Sequence, residues 1–277
     1  MKAGHRIVII SAAVLISVAS ACAVSFAQDA IKLKNGNVIK GSIIKTGKAG
    51  ISFELAGEKA VIVVPLGNID RLDIETPVSF RLAENSYFAN SFEQAYENYM
   101  KTIEKYGGFS YGEDAFFKAA DCQVKIGNAG RAIELYNEYI EDYPGAKSVN
   151  TARIRLASIL VKDRDYEGAV KAYDAVIRSR DEGLRPDAYY GNAEAYFAKG
   201  AYEQALVNYL KVALLYYDKG RIAQEAKFKC GECYEKLGER EMALAAYRET
   251  MEEYPKSEAA VRAEAKIKEL EKSGKKN

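Results

Sequence analysis

The spacing of the hydrophobic positions changes along the chain near Thr76. From Asp29 to Glu75 the sequence consists of short β-branched runs separated by turn residues, which is typical of strands joined by tight turns. Asn35-Gly36 lies between two of these runs, and because both residues tolerate positive φ angles, the pair predicts a β-hairpin. The runs predict five strands. So small a core must be completed by closure into a barrel or by packing against the next domain.

Beyond Thr76 the spacing becomes helical, and an Ala-x-x-x-Tyr motif recurs at intervals of 37, 37, 36 and 38 residues. Residues four apart share one face of a helix, where the small residue lets a second helix approach and the ring fills the space beside it. Such a repeat predicts stacked helix pairs. The motif occurs at Ala95/Tyr99, Ala132/Tyr136, Ala169/Tyr173, Ala205/Tyr209 and Ala243/Tyr247, and a small residue lies twelve positions earlier at Ala83, Ala120, Ala157, Ala193 and Gly231.

The segments YGNAEAYFAKGAYEQALVNYL and CGECYEKLGEREMALAAYRETMEEYP carry the clearest copies of this pattern. They resemble the tetratricopeptide repeat family. The long turns and the repeat interval are similar to the envelope branch of that family, which includes outer-membrane assembly lipoproteins and Tol-Pal-associated periplasmic proteins. The resemblance implies an α-solenoid that binds protein partners. Residues 257–272 are expected to form the solvated capping helix that such arrays need, followed by a flexible tail at 273–277.

The strings LKNGNVIKGSI and LGNIDRLDI resemble the Sm-like family of small five-stranded barrels. Gly36 and Gly41 match glycines of that family, but the acidic and asparagine pair that contacts RNA there is missing, so RNA binding does not carry over. The module is either a docking module or a packing cap for the repeats. The expected fold is mainly α, with an α-solenoid of about five helix pairs at residues 76–256. A small five-stranded β-barrel at residues 28–75 precedes it, with a separable boundary near Thr76-Pro77.

Residues 1–27 have the form of an export signal, because Lys2 and Arg6 precede an apolar run that ends in small residues at Ala27. Cys22 offers a second interpretation, since a cysteine after small residues resembles the bacterial lipoprotein box. Ala19 stands where that box usually has leucine. The chain is therefore expected to be exported and periplasmic or cell-envelope associated. Its mature form is either soluble or tethered by a lipid on Cys22.

The amino-acid composition argues against several classes of catalytic and binding function. The 277 residues include 40 Lys plus Arg, 39 Asp plus Glu and one histidine, His5, which lies within the export signal. A mature chain without imidazole lacks histidine-based nucleophile pairs, general bases and metal sites. The balanced charge gives no surplus for binding nucleic acid. These features favour a non-catalytic protein without a cofactor or metal.

Cys230 and Cys233 form a Cys-x-x-Cys pair, and Cys122 occupies the repeat position equivalent to Cys233. The pair brackets Gly231 inside a predicted helix, whereas redox-active pairs usually lie at the start of a helix, so a redox role is disfavoured. A zinc site takes about four ligands, and the three cysteines are too few to form one. The cysteines are therefore interpreted as small buried packing residues, with a Cys230–Cys233 disulfide as the alternative.

A stripe of the first helices is the candidate partner-binding site. In four of the five repeats an aromatic residue and an acid lie four positions apart, hence on one helical face. First helices line the concave surface of tetratricopeptide arrays, so the stripe predicts a groove for a cationic, partly apolar peptide. Alternatively, the rings pack between repeats and the acids are merely solvated. The residues are Phe80, Glu84, Phe117, Asp121, Tyr190, Glu194, Phe228 and Glu232.

The expected function is that of a non-catalytic cell-envelope scaffold that binds protein or peptide partners through the concave face of the array. The alternative is a lipid-anchored outer-membrane assembly factor, which depends on Cys22. A remoter alternative is a carboxylate-based enzyme or sugar-binding module, although no spacing of the acids supports one.

Overall fold

A computed structural model places the helices and the sheet but does not describe every residue. Most of the predicted export signal, including Cys22, and the last four residues of the tail lie outside the described part. The chain divides into two compact units, Met1–Ala146 and Lys147–Asn277. The described residues are 7–8, 29–47, 49–58, 60–107, 109 and 111–273.

The β-rich segment forms one sheet together with a two-residue strand from the predicted export signal. Its strands are β1 (Ile7–Val8), β2 (Asp29–Leu33), β3 (Val38–Gly47), β4 (Gly50–Leu55), β5 (Val61–Val64) and β6 (Ile69–Asp73). The spatial order is β1-β5-β4-β3-β2-β6. Every neighbouring pair is antiparallel except for the short β1, which pairs parallel with β5. The predicted hairpin at Asn35-Gly36 joins β2 to β3. Gly36 has a φ of 90°, which explains the glycine there.

Eleven helices follow within the described residues, as five consecutive pairs and a final helix, which confirms the pairing predicted from the periodicity. None of them has the length and apolar character that crossing a bilayer requires. The first helices are α1 (Val78–Phe88), α3 (Tyr111–Lys125), α5 (Val149–Lys162), α7 (Arg185–Lys199) and α9 (Arg221–Leu237). The others are α2 (Phe92–Tyr106), α4 (Ala129–Asp142), α6 (Tyr166–Ile177), α8 (Tyr202–Leu215), α10 (Arg240–Glu253) and the final α11 (Glu258–Ser273).

The sheet is open rather than closed into the expected barrel, since β5 and β6 do not pair within the described residues. The C-terminal end of helix α2 packs against the sheet instead. Tyr106, the last residue of α2, belongs to the buried cluster that includes Ile43 and Phe53 of the sheet. The hydroxyl of Thr46 donates a hydrogen bond of 2.7 Å to the carbonyl of Lys105. A residue of the first repeat therefore completes the core of the sheet, which favours the packing-cap interpretation.

The Ala-x-x-x-Tyr motif lies in the core of every helix pair, as predicted, with all five alanines and all five tyrosines buried. The small residues of the first helices leave room for these rings. A Cβ atom added to Gly231 would lie 2.3 Å from Cε1 of Tyr247, a distance that real contacts do not allow. Gly200 and Gly238 end α7 and α9 in the left-handed conformation, at φ angles of 85° and 80°, which is typical of helix C-caps.

Candidate partner-binding site

Two of the four predicted aromatic residues, Phe80 and Phe228, are buried. The ring centroid of Phe80 lies 5.8 Å from that of Tyr99, and the centroid of Phe228 lies 5.4 Å from that of Tyr247. The ring centroid of Phe80 also lies 5.1 Å from that of Tyr111 in α3, and Phe228 belongs to a cluster with Ala263 of α11. The two rings therefore stabilise contacts within and between helix pairs and offer little surface to a partner.

The other two rings are half-buried and remain accessible. Phe117 packs against Tyr136 and Tyr139, with centroid distances of 5.8 and 5.6 Å. Tyr190 packs edge-on against Tyr209 at 5.5 Å. Each compact unit thus presents one partly exposed ring of the predicted stripe, Phe117 in the first unit and Tyr190 in the second.

Two of the four predicted acids, Glu84 and Glu194, are hydrogen-bonded to motif tyrosines. The Tyr99 hydroxyl donates to Oε1 of Glu84, and the Tyr209 hydroxyl donates to Oε1 of Glu194. Burial, followed by the adjacent carboxylate, raises the pKa of both tyrosines well above its ordinary value. The acids therefore satisfy hydroxyl groups at the edge of the repeat core, in addition to lying on the surface.

The fifth repeat uses a different acid from the predicted one. The Tyr247 hydroxyl donates to Glu235, which lies one helical turn beyond the predicted Glu232. Glu232 instead pairs with Lys229, at 2.8 Å between Nζ and Oε2. The sequence shows an acid at both positions, and their three-residue separation places both on one face.

Lysines of the following first helix, or of α11, neutralise these acids. The three lysines recur at equivalent repeat positions, three residues before Asp121, Glu232 and Glu269, and this spacing was not recognised in the sequence. The stripe is therefore a charge-balanced surface and not simply a negative one. The pairs, from Nζ to Oε1, are Lys118–Glu84 at 2.6 Å, Lys229–Glu194 at 3.8 Å and Lys266–Glu235 at 3.2 Å.

Asp121, the remaining predicted acid, has a partner on a neighbouring first helix. The Tyr87 hydroxyl donates to Oδ2 of Asp121. Burial and this carboxylate raise the pKa of Tyr87 to about 12. The Lys118 ammonium lies 5.8 Å from the centre of the Tyr87 ring, within the range of a cation–π contact.

The cysteines are packing residues, as the sequence analysis expected. Cys122, Cys230 and Cys233 are buried free thiols. Burial raises the pKa of Cys122 to about 11 and that of Cys233 to about 12, so both thiols are protonated and unreactive near neutral pH. Within the described residues, no group of His, Cys, Asp and Glu side chains is arranged to hold a metal ion.

Two models of the tetratricopeptide repeat family match the helical part of the chain. Residues 78–216 match the tetratricopeptide repeat-like domain, and residues 225–257 match the tetratricopeptide repeat. The sheet lies outside both matches, and no protein of curated function matches the chain.

Several solved structures have a similar fold. A MamA structure is 19% identical with a TM-score of 0.53, and the match covers 65% of this chain and 91% of MamA. MamA from Desulfovibrio magneticus RS-1 is 15% identical with a TM-score of 0.52, covering 66% and 99%. The kinesin light chain-like repeats of Podosopora anserina are 14% identical with a TM-score of 0.53, covering 65% and 95%. At these identities the similarity shows the fold alone.

Proposed function

Because the chain belongs to the tetratricopeptide repeat family, we propose that it is a non-catalytic scaffold of the cell envelope that binds a protein or peptide segment through its first helices. One observation carries the proposal. Each compact unit presents a half-buried ring, Phe117 or Tyr190, with an acid four residues further along the same helix. Glu194, beside Tyr190, is paired with Lys229. Asp121, on the helix of Phe117, accepts a hydrogen bond from the Tyr87 hydroxyl. Rings held in place by packing, with polar groups around them, are typical of protein contact surfaces.

The charges around the rings indicate what the partner carries. Glu194 is the most open of the predicted acids that form an ion pair, with 39% of its side chain exposed, and its lysine lies 3.8 Å away. Glu84 holds its lysine at 2.6 Å and is less exposed. A Lys or Arg of the partner therefore meets least competition beside Tyr190. We propose that a partly apolar segment binds there with its cation near Glu194.

Site-specific photocrosslinking tests this surface. A photoreactive phenylalanine analogue is placed at Phe117 or Tyr190, and at Val207 as a control. Val207 is 51% exposed and lies on a second helix. Irradiation of cells should give the same partner adduct from Phe117 and Tyr190, and none from Val207. An adduct of equal yield from Val207, or no adduct from either ring position, would contradict the proposal.

The proposed location rests on residues 1–27 and needs its own test. Lys2 and Arg6 before an apolar run support export, and Cys22 supports the alternative of a lipid-anchored assembly factor. Mass spectrometry of the protein from fractionated cells distinguishes the two. A mature chain that begins at Gln28 indicates a soluble periplasmic form, whereas an acylated Cys22 indicates a tethered one. An uncleaved chain in the cytoplasmic fraction would overturn export.

A further inference from the structure

Helix α1 exposes a face that other first helices bury. Val78 is 61% exposed and Leu82 is 48% exposed, and Asn85 is also exposed. These residues are spaced at i, i+4 and i+7, so they form a single stripe along α1. A stripe with two aliphatic side chains open to solvent is unusual for a helix in a packed repeat.

The equivalent residues of later helices show what normally covers this stripe. In α9 they are buried in one cluster with Tyr209 and Val212 of α8. In α11 they pack in one cluster with Tyr247 and Met251 of α10. The stripe is therefore the surface on which the preceding second helix packs. The equivalent residues are Ala226, Cys230 and Cys233 in α9, and Ala263, Ile267 and Leu270 in α11.

The ion pairs between consecutive repeats also stop at helix α1. The lysines that pair with an acid of the preceding repeat are Lys118, Lys229 and Lys266. Arg81 occupies the equivalent position of α1 and is exposed, and within the described part of the chain it has no ion pair. Helix α1 thus has both contact elements of a repeat interface, the aliphatic stripe and the cation, without the preceding repeat.

We propose that this face of α1 binds a helical hairpin of a partner protein. One helix of the hairpin packs aliphatic and aromatic side chains on Val78 and Leu82, and the other brings a carboxylate to Arg81. The contact continues an interface that the chain already uses between its own repeats. An intact second copy does not present such a hairpin, because its last second helix, α10, is already covered by α11. This surface differs from the ring surface around Phe117 and Tyr190, so either proposal can fail without the other.

The probe for this proposal comes from the chain itself. A fluorescent peptide of residues 221–256, with both helices stapled, presents the α10 face that normally covers α11, together with Glu235, the partner of Lys266. Ile267, which α10 covers, is similar in size to Leu82. Anisotropy should show saturable binding of this hairpin to the full chain. Leu82→Asp should weaken binding at least tenfold, and the control Val207→Asp should leave it unchanged, with equal melting temperatures.

A charge exchange tests the role of Arg81. The probe variant Glu235→Lys should bind the unaltered chain more weakly, and Arg81→Glu in the chain should restore binding of that probe. Absence of saturable binding, or binding that Leu82→Asp does not change, would overturn the proposal. Sedimentation that shows a dimer of the unaltered chain, dissociated by Leu82→Asp, would assign the face to a second copy and overturn the assignment to a different protein.

Discussion

Tyr209 connects the core of its repeat to the candidate site. Its ring is fully buried against the helix pair, while its hydroxyl donates to Glu194, beside the half-buried ring of Tyr190. A buried hydroxyl that loses its partner costs about 1 to 3 kcal/mol. The carboxylate is therefore held in place by the fold, and substitutions at the candidate site also change stability.

The first prediction ranks substitutions in this repeat. Tyr209→Ala should lower the free energy of unfolding by about 3 to 5 kcal/mol, because it removes a buried ring. Ala205→Leu should lower it by about 1 to 3 kcal/mol, because it enlarges a residue at a close helix contact. Cys233→Ser, which preserves size, should have a smaller effect than Tyr209→Ala. Urea unfolding followed by circular dichroism gives the order. A Cys233→Ser chain that unfolds while Tyr209→Ala melts normally would contradict the repeat register.

The second prediction concerns the predicted acids. As simple solvated groups, they would tolerate replacement by lysine without loss of stability. Their contacts with tyrosine hydroxyls and lysines predict the opposite, because each replacement places like charges together and removes an acceptor. Combined replacement of Glu84, Asp121, Glu194 and Glu232 by Lys should therefore lower the melting temperature by several degrees.

A matched control separates this effect from the change in net charge. Four exposed acids of the second helices have no ion pair within the described residues, and their replacement by lysine changes the net charge equally. Equal melting temperatures for the two fourfold variants would show that the hydrogen bonds to tyrosine contribute nothing. The control acids are Glu97, Glu104, Glu203 and Glu252.

The third prediction concerns pH and the buried thiols. The pKa of Cys122 is raised from 9.0 to about 11 and that of Cys233 to about 12. As pH rises, the thiols ionise in the unfolded chain before they ionise in the folded chain. The two thiols therefore leave the free energy of unfolding unchanged below about pH 9 and lower it between pH 9 and 12. In a Cys22→Ser chain, iodoacetamide at pH 8 should label the thiols slowly when the chain is folded and rapidly in urea. Rapid labelling of the folded chain would show that the cysteines are accessible.

Helix α2 contributes to both the first repeat and the core of the sheet. It is the second helix of the first repeat, and its last turn also completes the core of the sheet through Tyr106. The fourth prediction is that Tyr106→Ala lowers hydrogen-exchange protection in peptides that contain Ile43 and Phe53. Peptides from α9 and α10, in the other compact unit, provide the internal reference. Unchanged protection in the sheet would show an independent module and support the separable boundary near Thr76-Pro77.

The elements differed in how far the sequence could predict them. The five helix pairs follow from a local pattern, since residues such as Ala205 and Tyr209 are four apart and pack within their own repeat. The state of the sheet depends on Tyr106, a distant residue that in the sequence is indistinguishable from any repeat-ending tyrosine. The four rings of the candidate site lie on first helices, but Phe80 and Phe228 are buried. The lysine partners of the acids were missed, because Lys118 and Lys229 lie about one repeat along the chain from Glu84 and Glu194 and look like ordinary surface charge in the sequence.

The two ends of the repeat region differ at the scale of the whole molecule. The last pair is covered by α11, which contributes Ala263 to the cluster around Tyr247 and exposes charged residues such as Lys268. The first helix has no such cover over Val78 and Leu82 within the described part of the chain. A heterologous contact between unlike ends of identical molecules generates open assemblies, and α11 prevents this one by occupying α10.

The fifth prediction follows from that difference. Deleting residues 258–277 should expose the α10 face and let it contact α1 of the next molecule, giving concentration-dependent chains in sedimentation experiments. Leu82→Asp should suppress them. Deleting only residues 274–277 is the control and should change nothing. A truncated chain that stays monomeric and equally stable would show that α11 covers nothing essential.

The position of Tyr106 in the sequence means that the sheet is synthesised before the residue that completes its core. The last strand ends at Asp73, but the ring that completes the core of the sheet lies 33 residues further along the chain. A polypeptide made from its N-terminus therefore has its strands available well before it has the ring that completes their core. During that interval the apolar face of the sheet is open to chaperones and to other nascent chains. A pause in translation before α2 is complete would prolong this exposure, whereas a pause within the later repeats would not.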